Sequence, residues 1–331
     1  MSLANSVRAR VVVDIDCMDP DVAARHSSTT APTFCDMTSN QAIVYGQSIR
    51  PEQTDTLQKA ITAAKTKFES QDQIVDHAVD VFTVLLAKAI YPYLTGRCHA
   101  QTSPSTAFDT EKTIAHAKEL VSVFEANGIP KERVCIKIPA TAESVVACQY
   151  LEKIGIRTLS TCLFSIPQAL AAHQAGCLYI APYFNELRVH FEPEIWKKYD
   201  DTAKEHPMSK PILDIVSTYR AIGAKTLVIP ASIVTTEEVI GLITLQPDHL
   251  TLSGTILDSL AALPEAALPE PLLLSTPAAN DVVETNYLAD GGAQLRDALA
   301  ADAETSRKLD DALKIFGDME AKLKALIRSQ L

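Results

Sequence analysis

Short runs rich in valine, isoleucine and leucine alternate with longer stretches in which apolar residues recur every three or four positions. The first kind of run predicts buried β-strands and the second predicts amphipathic helices. Strands are predicted over residues 10–15, near 40–45, and over 96–102, 133–138, 157–163, 177–184, 225–230 and 249–252. Helices are predicted over residues 52–69, 73–93, 109–128, 142–153, 165–175, 209–222, 236–244 and 254–262.

Alternation of strands and helices with short connections indicates a parallel β-sheet covered by helices. The pattern predicts an α/β fold, a (β/α)8 TIM barrel over residues 1–263, with additional helices that include one before residue 95 and one at the C-terminal end. A doubly wound open sheet is the alternative. That fold usually carries a glycine-rich turn after its first strand, and the corresponding segment here, DIDCMDPD, has no glycine.

Residues 264–331 form a second predicted region, an extension of the barrel. Its first part carries prolines at 264, 269, 271 and 277 and is expected to be a connector, not a helix. From about residue 303 the chain is expected to be helical to its end. An apolar face on this helix should pack on the barrel or on a second subunit; its residues are Leu309, Leu313, Phe316, Leu323 and Ile327.

Composition narrows the class of function. The chain has 331 residues, 47% of them hydrophobic, and a net charge of −11. It can build a large core, and its charge disfavours nucleic acid or an anionic membrane as a partner. No signal-peptide pattern and no long membrane-spanning run occurs, so a cytoplasmic protein is expected. The seven cysteines form no CxxC pair and no metal spacing, which is typical of small buried side chains in a reducing compartment.

The segment RVCIKIPATAE, residues 133–143, has a lysine in the middle of an apolar strand. Side chains alternate along a barrel strand, and Val134, Ile136 and Ile138 suit the side that faces the helices. Lys137, on the opposite side, therefore points into the barrel. Burial lowers the pKa of a lysine toward neutrality, and a neutral amine can attack a ketone to form a Schiff base. The alternatives are a lysine that extends to the rim or one held in an ion pair.

Polar residues lie near the C-terminal ends of several other predicted strands. This arrangement is typical of an active site in a barrel enzyme. Each residue alone also has a purely structural explanation, such as a turn residue at Asn40 or a helix N-cap at Ser232. The residues are Asp14, Thr38, Asn40, Gln101, Thr161, Tyr183 and Ser232.

Several motifs resemble the transaldolase family, which includes the smaller fructose-6-phosphate aldolases. The segment DMTSNQA (36–42) is similar to the family's Asp-x-Thr-Thr-Asn-Pro-Ser. The other segments that carry the resemblance are VVVDID (11–16), GRCHAQTSPSTAF and the helix after it (96–120), residues 134–184, TLVIPASIVTTEEVI (226–240), LTLSGTILDSLAAL (250–263) and, more weakly, 308–327. The resemblance implies a (β/α)8 barrel that performs class I aldol chemistry on Lys137 without a cofactor.

The resemblance also implies roles for individual residues. Asp14 would be the general acid and base that handles the proton of a substrate hydroxyl. Asn40, with Thr38 beside it, would bind the hydroxyls of a dihydroxyacetone-like donor. Thr161 would help to hold the catalytic water.

Three substitutions make the predicted site similar to that of the fructose-6-phosphate aldolases. Most transaldolases have Glu where this chain has Gln101, and Ser and Phe where it has Ala181 and Tyr183. Gln101 cannot take a proton but can orient a water, and the hydroxyl of Tyr183 can share that water with Thr161. Loss of the serine at Ala181 weakens donor recognition. Such a site is expected to favour free aldolase turnover over strict transfer.

Other departures concern the phosphate of a sugar phosphate. The family binds it with a Gly-Arg pair after strand six, where this chain has Asn185 and Glu186. A second basic residue, two positions after the strand-seven serine Ser232, is replaced by Val234. Arg188 could substitute for the missing arginine, or it could be a solvated surface residue. Without such an arginine the site would lose charge-assisted hydrogen bonds worth several kcal/mol.

The leading hypothesis is a transaldolase-like, cofactor-free class I aldolase that makes or breaks a C–C bond next to a ketone through Lys137. Its substrate would be a small, sugar-like carbonyl compound that lacks phosphate. One alternative is an ordinary transaldolase that transfers a dihydroxyacetone unit between sugar phosphates and binds phosphate through Arg188. Another is a catalytically silent barrel that acts as a binding protein. By analogy with the family, a homodimer is expected.

Overall fold

The computed structural model of the protein describes residues 2–27, 33–274 and 285–331. The strands in these ranges are β1 (Val12–Ile15), β2 (Cys98–Gln101), β3 (Val134–Pro139), β4 (Thr158–Leu163), β5 (Tyr179–Pro182), β6 (Leu227–Val228) and β7 (His249–Leu252). The α-helices there are α1 (Leu3–Arg8), α2 (Pro20–Arg25), α3 (Gln41–Ser48), α4 (Thr54–Lys67), α5 (Gln71–Ile90), α6 (Thr110–Ala126), α7 (Ala142–Lys153), α8 (Ile166–Ala175), α9 (Thr202–Glu205), α10 (Ser209–Ala221), α11 (Thr236–Thr244), α12 (Gly254–Ala262), α13 (Ala289–Ala301) and α14 (Ala303–Arg328).

The strands close into a parallel ring. Strands β2 to β6 pair in chain order, and β7 pairs with β1. Met37 fills the place between β1 and β2, because it forms parallel bridges with Ile15 on one side and Cys98 on the other. Between β6 and β7, the N–H of Asp248 donates to the carbonyl of Val228 at 3.0 Å. The ring has the eight strand positions of the predicted (β/α)8 barrel, with Met37 as one of them.

The predicted strand near residues 40–45 is wrong. These residues begin helix α3, whose N-cap is Asn40: its Oδ1 accepts hydrogen bonds from the N–H groups of Ala42 (2.9 Å) and Ile43 (3.1 Å). An asparagine in this position satisfies backbone donors that a helix start otherwise leaves unpaired. The second barrel strand is reduced to Met37, which is too short to produce an alternating pattern in the sequence.

The helices predicted before residue 95 are confirmed. The predicted range 52–69 contains α4, and the predicted range 73–93 overlaps α5, which begins two residues earlier, at Gln71, and ends at Ile90. These two helices pack against each other, and α5 also contacts β2. They form an insertion on the outside of the barrel, next to the strand that carries Gln101.

The C-terminal helix α14 packs on the chain's own barrel. Its predicted apolar face is buried against α3 and α5. Glu320 on the same helix is buried as well, and it accepts a hydrogen bond from the Ser103 hydroxyl just after β2 (2.9 Å). Helix α14 therefore covers the end of β2. Residues 265–274 contain no helix, as expected for the connector, and Pro277 lies outside the described residues. No helix in the described ranges is long and apolar enough to cross a bilayer.

Candidate active site

Interior side chains of the barrel form two successive layers, because alternate residues of each strand face inward. Two residues of strand advance by about 6.6 Å, so the layers are at clearly different depths. We call the first set the deep layer; it comprises Asp14, His99, Cys135 and His249. We call the second set the cavity layer; it lies two residues further along the chain in each case and comprises Gln101, Lys137 and Thr251 on their strands and Asp16 immediately after β1.

The polar groups of the deep layer bond to one another. Asp14 Oδ2 lies 2.8 Å from His249 Nδ1, and Asp14 Oδ1 accepts from the N–H of Asp36 at 2.7 Å. The Asp36 carboxylate is bonded to His99 Nε2 (2.7 Å) and to the N–H of Arg97 (2.7 Å). Burial raises the pKa of Asp14, against the opposing effect of His249. This layer is a hydrogen-bonded core in which the carboxylates of Asp14 and the adjacent Asp36 have partners, while His99 Nδ1 has none within the described residues.

Asp14, the predicted general acid and base, thus lies in the deep layer and is fully buried. It is not among the residues that line the cavity around Lys137. Its two carboxylate oxygens are bonded to His249 and to the N–H of Asp36.

Three groups at this depth could in principle bind a metal ion. Potential ligand atoms of Asp14, Cys35 and His249 lie within 4.8 Å of one another. However, Asp14 and His249 already share a hydrogen bond, and burial raises the pKa of the Cys35 thiol to about 12. Because metals bind the thiolate and not the thiol, this set fits a hydrogen-bonded core better than a metal centre.

A cavity of about 480 Å³ lies over the cavity layer. Asp16, Lys137 and Thr251 line it from the barrel, and the segments that follow β5, β6 and β7 line it from above. These segments extend from the C-terminal ends of the strands, which is where barrel enzymes bind their substrates.

Lys137 meets the conditions for an amine nucleophile. Its side chain is 2% exposed, and within the described residues its Nζ forms no hydrogen bond or ion pair. The Nζ lies 5.9 Å from the ring centroid of Tyr183. Burial lowers the pKa of Lys137, although the Asp16 carboxylate opposes this shift. The alternatives of a lysine at the rim or in an ion pair therefore do not describe its environment.

Asp16 is the carboxylate that shares the cavity with Lys137. Thr38 Oγ1 donates to Asp16 Oδ1 at 2.6 Å, and the same Oγ1 lies 2.6 Å from Thr251 Oγ1. An ionised carboxylate only accepts hydrogen bonds, so the Thr38 proton points to Asp16 and Thr251 must donate to Thr38. Thr38 was expected to bind substrate. In the structure it orients Asp16 and does not line the cavity.

Thr161 and Tyr183 are in contact with each other; Tyr183 lines the cavity with Lys137, whereas Thr161 lies behind it and does not line the cavity. Thr161 Oγ1 lies 3.3 Å from Tyr183 Oη, and both side chains are buried. The pairing of β4 with β5 shifts register between Ser160 and Leu163, and Cys162 in this segment has φ +53°. A bulge of this kind redirects the side chains next to it. Burial raises the pKa of Tyr183 well above its usual value, so the phenol keeps its proton.

Gln101 is held by a second glutamine. Gln41 Nε2 donates to the carbonyl of Thr102 (2.9 Å), and Gln101 Nε2 donates to Gln41 Oε1 (2.7 Å). Both side chains are buried, and Gln101 Oε1 has no hydrogen-bond partner within the described residues. Gln101 is the register partner of Lys137 on the neighbouring strand. It lines a smaller cavity of about 190 Å³ under α14, which touches the larger one at Asn40.

The two other residues expected to bind the donor differ in what they offer. Asn40 lines the main cavity. Its Oδ1 already accepts two hydrogen bonds as the cap of α3, so it offers only its amide N–H groups to a ligand. Ala181 is buried on β5, two residues before Tyr183, and its methyl group has no polar atom to offer.

Ser232 and His190 form a polar pair on the wall of the cavity. Ser232 follows β6 with φ +60°, and its Oγ lies 2.9 Å from His190 Nε2. Burial lowers the pKa of His190, so the imidazole is neutral at pH 7. Of the described residues that line this cavity, Lys137 is the only lysine, and none is an arginine.

Arg188 lies outside the cavity and is occupied elsewhere. Its guanidinium binds both oxygens of Glu192, at 2.6 and 3.2 Å. Glu186, in the position where the family has arginine, pairs with Arg307 of α14 at 2.5 Å. The neighbouring Asn185 donates to Glu238 at 2.9 Å. None of these groups faces the main cavity.

Sequence reasoning missed four residues that the structure brings to the site: Asp16, Gln41, His190 and Thr251. The sequence contained an indication for two of them. Asp16 has the same strand parity as Asp14, two residues closer to the C-terminal end of the strand. Gln41 stands where the resembling motif has proline. His190 and Thr251 had no comparable signal.

Known proteins of similar sequence bear on this site. A family model described as Transaldolase/Fructose-6-phosphate aldolase matches residues 14–327. A transaldolase from Marinomonas sp. (strain MWYL1) is 31% identical over 296 residues, which cover 89% of this chain and 90% of that protein. A transaldolase from Gibberella intermedia is 30% identical over 297 residues, with the same coverage of 89% and 90%. A transaldolase from Methylobacillus flagellatus is 31% identical over 227 residues, 69% of this chain and 71% of that protein.

Proposed function

The chain belongs to the transaldolase/fructose-6-phosphate aldolase family and is an enzyme of the aldolase and transferase type, and we propose that it forms a Schiff base between Lys137 and a ketone that carries no phosphate. The observation that carries this proposal is a buried, unpaired lysine facing a cavity at the C-terminal end of the barrel. From there it makes or breaks the C–C bond next to the former carbonyl.

In the proposed reaction, the neutral amine of Lys137 adds to the ketone carbon and gives a carbinolamine. The carbinolamine hydroxyl takes up a proton from solvent through the water in the site and leaves as water. This yields the protonated Schiff base, which accepts the electron pair of the adjacent C–C bond when that bond breaks. Asp16 takes the proton from the hydroxyl of the departing aldehyde carbon and can return it to the remaining fragment. The role that the resemblance assigned to Asp14 passes to Asp16, because Asp16 lines the cavity and Asp14 does not.

Release of the bound fragment requires water. The hydroxyls of Thr161 and Tyr183, 3.3 Å apart, can hold a water between them and the Schiff-base carbon. Both keep their protons at neutral pH and can donate or accept. Hydrolysis through this water supports free aldolase turnover as well as transfer to an acceptor aldehyde.

The charges of the cavity favour a substrate without phosphate. Of the described lining residues, Lys137 is the only lysine or arginine, and the chemistry consumes its amine. Ser232 is bonded to a neutral His190, and Arg188 is bound to Glu192. The Ser232–His190 pair suits a hydroxyl or carbonyl at the far end of a sugar-like substrate. A phosphate dianion there would lack the charge-assisted hydrogen bonds that usually hold it.

A second candidate function is sugar-phosphate transaldolase activity. The names of relatives about 30% identical favour it. It would require Arg188 to leave Glu192 and turn into the cavity. A silent binding barrel is disfavoured, because a lysine buried without a partner costs stability that a binding protein need not spend.

Paired substrates test the proposal. Aldol formation and cleavage would be measured with dihydroxyacetone and dihydroxyacetone phosphate as donors, and with phosphorylated and unphosphorylated aldehydes as acceptors. We expect kcat/KM to be higher for the unphosphorylated member of each pair. Higher values for the phosphorylated members would favour the ordinary transaldolase. No activity with any pair, together with no covalent adduct at Lys137, would contradict the enzyme proposed here.

A further inference from the structure

The direction of the Gln101 amide is fixed by its neighbours. Two hydrogen bonds run in series: Gln41 Nε2 donates to Thr102 O (2.9 Å) and Gln101 Nε2 donates to Gln41 Oε1 (2.7 Å). A backbone carbonyl can only accept, so Gln41 must turn its NH2 group toward Thr102. The Gln41 oxygen then faces Gln101, so Gln101 must donate from its own NH2 group.

The consequence is an oxygen with a fixed direction. Gln101 Oε1 points away from Gln41, and within the described part of the chain this buried atom has no hydrogen-bond partner. Gln101 and Lys137 are register partners on adjacent strands, so their side chains extend to the same side of the sheet. An unpaired buried acceptor is costly. Because Gln101 is the register partner of Lys137, a ligand or a reacting group on Lys137 can supply the missing donor.

From this we infer that Gln41 is a positioning residue: it locks the amide of Gln101 so that an acceptor oxygen, and never a donor, faces the group that forms on Lys137. This inference rests on the proposed function. The donor that completes the bond is the hydroxyl of the carbinolamine on Lys137 or the water that leaves from it. Gln41 therefore acts on the chemical step through Gln101 and does not touch the substrate itself.

The same two hydrogen bonds also explain why glutamate does not suit position 101 in this chain. A carboxylate there would put a charged oxygen against Gln41 Oε1, which now lies 2.7 Å from an N–H donor. Turning the Gln41 amide around would only move the conflict to the carbonyl of Thr102. Protonation of the glutamate relieves it, because the carboxylic acid can donate to Gln41 Oε1.

Gln41 can be removed with little damage to the backbone. It occupies the first position of α3, and the preceding Asn40 is extended (φ −162°, ψ 175°). Proline is favoured at the first position of a helix and requires an extended residue before it. Gln41→Pro thus deletes the amide and keeps the helix start. Gln41→Leu is the second variant, and it keeps the volume if the proline variant fails to fold.

A double-mutant cycle tests the inference. Gln41→Pro should lower kcat about threefold to tenfold, the effect of one neutral hydrogen bond, with KM nearly unchanged. Gln101→Glu should lower kcat by about tenfold or more, and its activity should fall further as pH rises and the new carboxyl group ionises. The variant with both changes should be no slower than Gln41→Pro alone and should lose that pH dependence. Gln47→Ala is the matched control, since Gln47 is buried in the same helix and its Oε1 has no partner in the described residues.

Two outcomes separate this inference from the proposed function. If wild-type Lys137 can be trapped by borohydride with a ketone but the two substitutions multiply independently, Gln41 does not position Gln101 and the inference is wrong. A loss of activity in the Gln47→Ala control equal to that of Gln41→Pro would also overturn it, because the effect would then come from the packing of α3. If wild-type Lys137 cannot be trapped at all, the proposed function itself fails.

Discussion

The deep layer and the cavity layer are built from the same strands and contain similar polar groups, yet they differ in one respect. In the deep layer the carboxylates of Asp14 and Asp36 have imidazole and backbone partners. In the cavity layer the amine of Lys137 has no partner within the described residues. Two residues of strand thus separate a hydrogen-bonded core from the amine that we propose to be reactive. The comparison teaches that burial alone does not distinguish the two layers, and that an amine without a hydrogen-bond or ion-pair partner beside a cavity does.

The largest expected effect comes from removing the amine. Lys137→Met should lower kcat by about 10⁴-fold or more, because no other described lining residue carries a primary amine. Steady-state kinetics with an unphosphorylated ketone measures this, and circular dichroism checks that the fold is retained. Activity near that of the wild type would mean that the reactive layer has been misidentified.

Separate substitutions of Asp16 in the cavity layer and Asp14 in the deep layer test whether the two layers have different roles. Asp16→Ala should lower kcat about 10²- to 10³-fold, since a positioned acid and base is lost, with little change in stability. Asp14→Ala should leave a folded enzyme with kcat reduced only a few-fold. The substitution removes the hydrogen-bond partner of the Asp36 N–H and of the His249 ring. That loss should lower the free energy of unfolding by about 1–3 kcal/mol.

Kinetics and chemical denaturation of both aspartate variants separate the two roles. If Asp14→Ala abolished turnover without destabilising the protein, the general acid and base would belong to the deep layer, as the sequence motif first suggested.

The stability contributed at position 137 should depend on pH. Burial lowers the pKa of Lys137, so between its folded and unfolded pKa values the unfolded chain binds more protons and stability rises with pH. The lysine is therefore most costly below its folded pKa, and the cost disappears near its ordinary value of about 10.4. Lys137→Met should stabilise the protein more at pH 7 than at pH 10. Thermal or urea unfolding at several pH values measures the trend, and a pH-independent difference would contradict it.

The smallest effect is expected from Arg188. Arg188→Ala breaks an exposed ion pair with Glu192, which is typically worth very little. KM should change less than about twofold for phosphorylated and unphosphorylated substrates alike, since the guanidinium does not line the cavity. A steep rise in KM for phosphorylated substrates alone would identify Arg188 as a phosphate-binding residue that replaces the family's arginine.

The sequence predicted the barrel and the orientation of Lys137, because both follow from periodicities that single strands and helices impose on their residues. The depth of a side chain along the barrel axis does not follow from these periodicities. Asp14 and Asp16 have the same parity, and only the positions of His249 and Thr38 on other segments decide which carboxylate lies beside the cavity. The second strand was missed because it is reduced to Met37.

The remaining differences between the predicted and the observed site depend on which hydrogen-bond or ion-pair partner each side chain has. Arg188 was a candidate for phosphate, but its binding to Glu192 four residues later on the chain became visible only in the structure. The contact between Gln41 and Gln101 joins residues 60 positions apart. No local pattern predicts this second contact, since it depends on how α3 docks against the end of β2.

Borohydride trapping tests the central claim most directly. The wild-type enzyme would be incubated with unphosphorylated dihydroxyacetone, reduced with borohydride, digested and analysed by peptide mass spectrometry, with Lys137→Met as the control. The account predicts a reduced adduct on the peptide that contains Lys137 and no adduct in the control. An enzyme that turns over the ketone while Lys137 stays unmodified, or that is modified at another lysine, would contradict it.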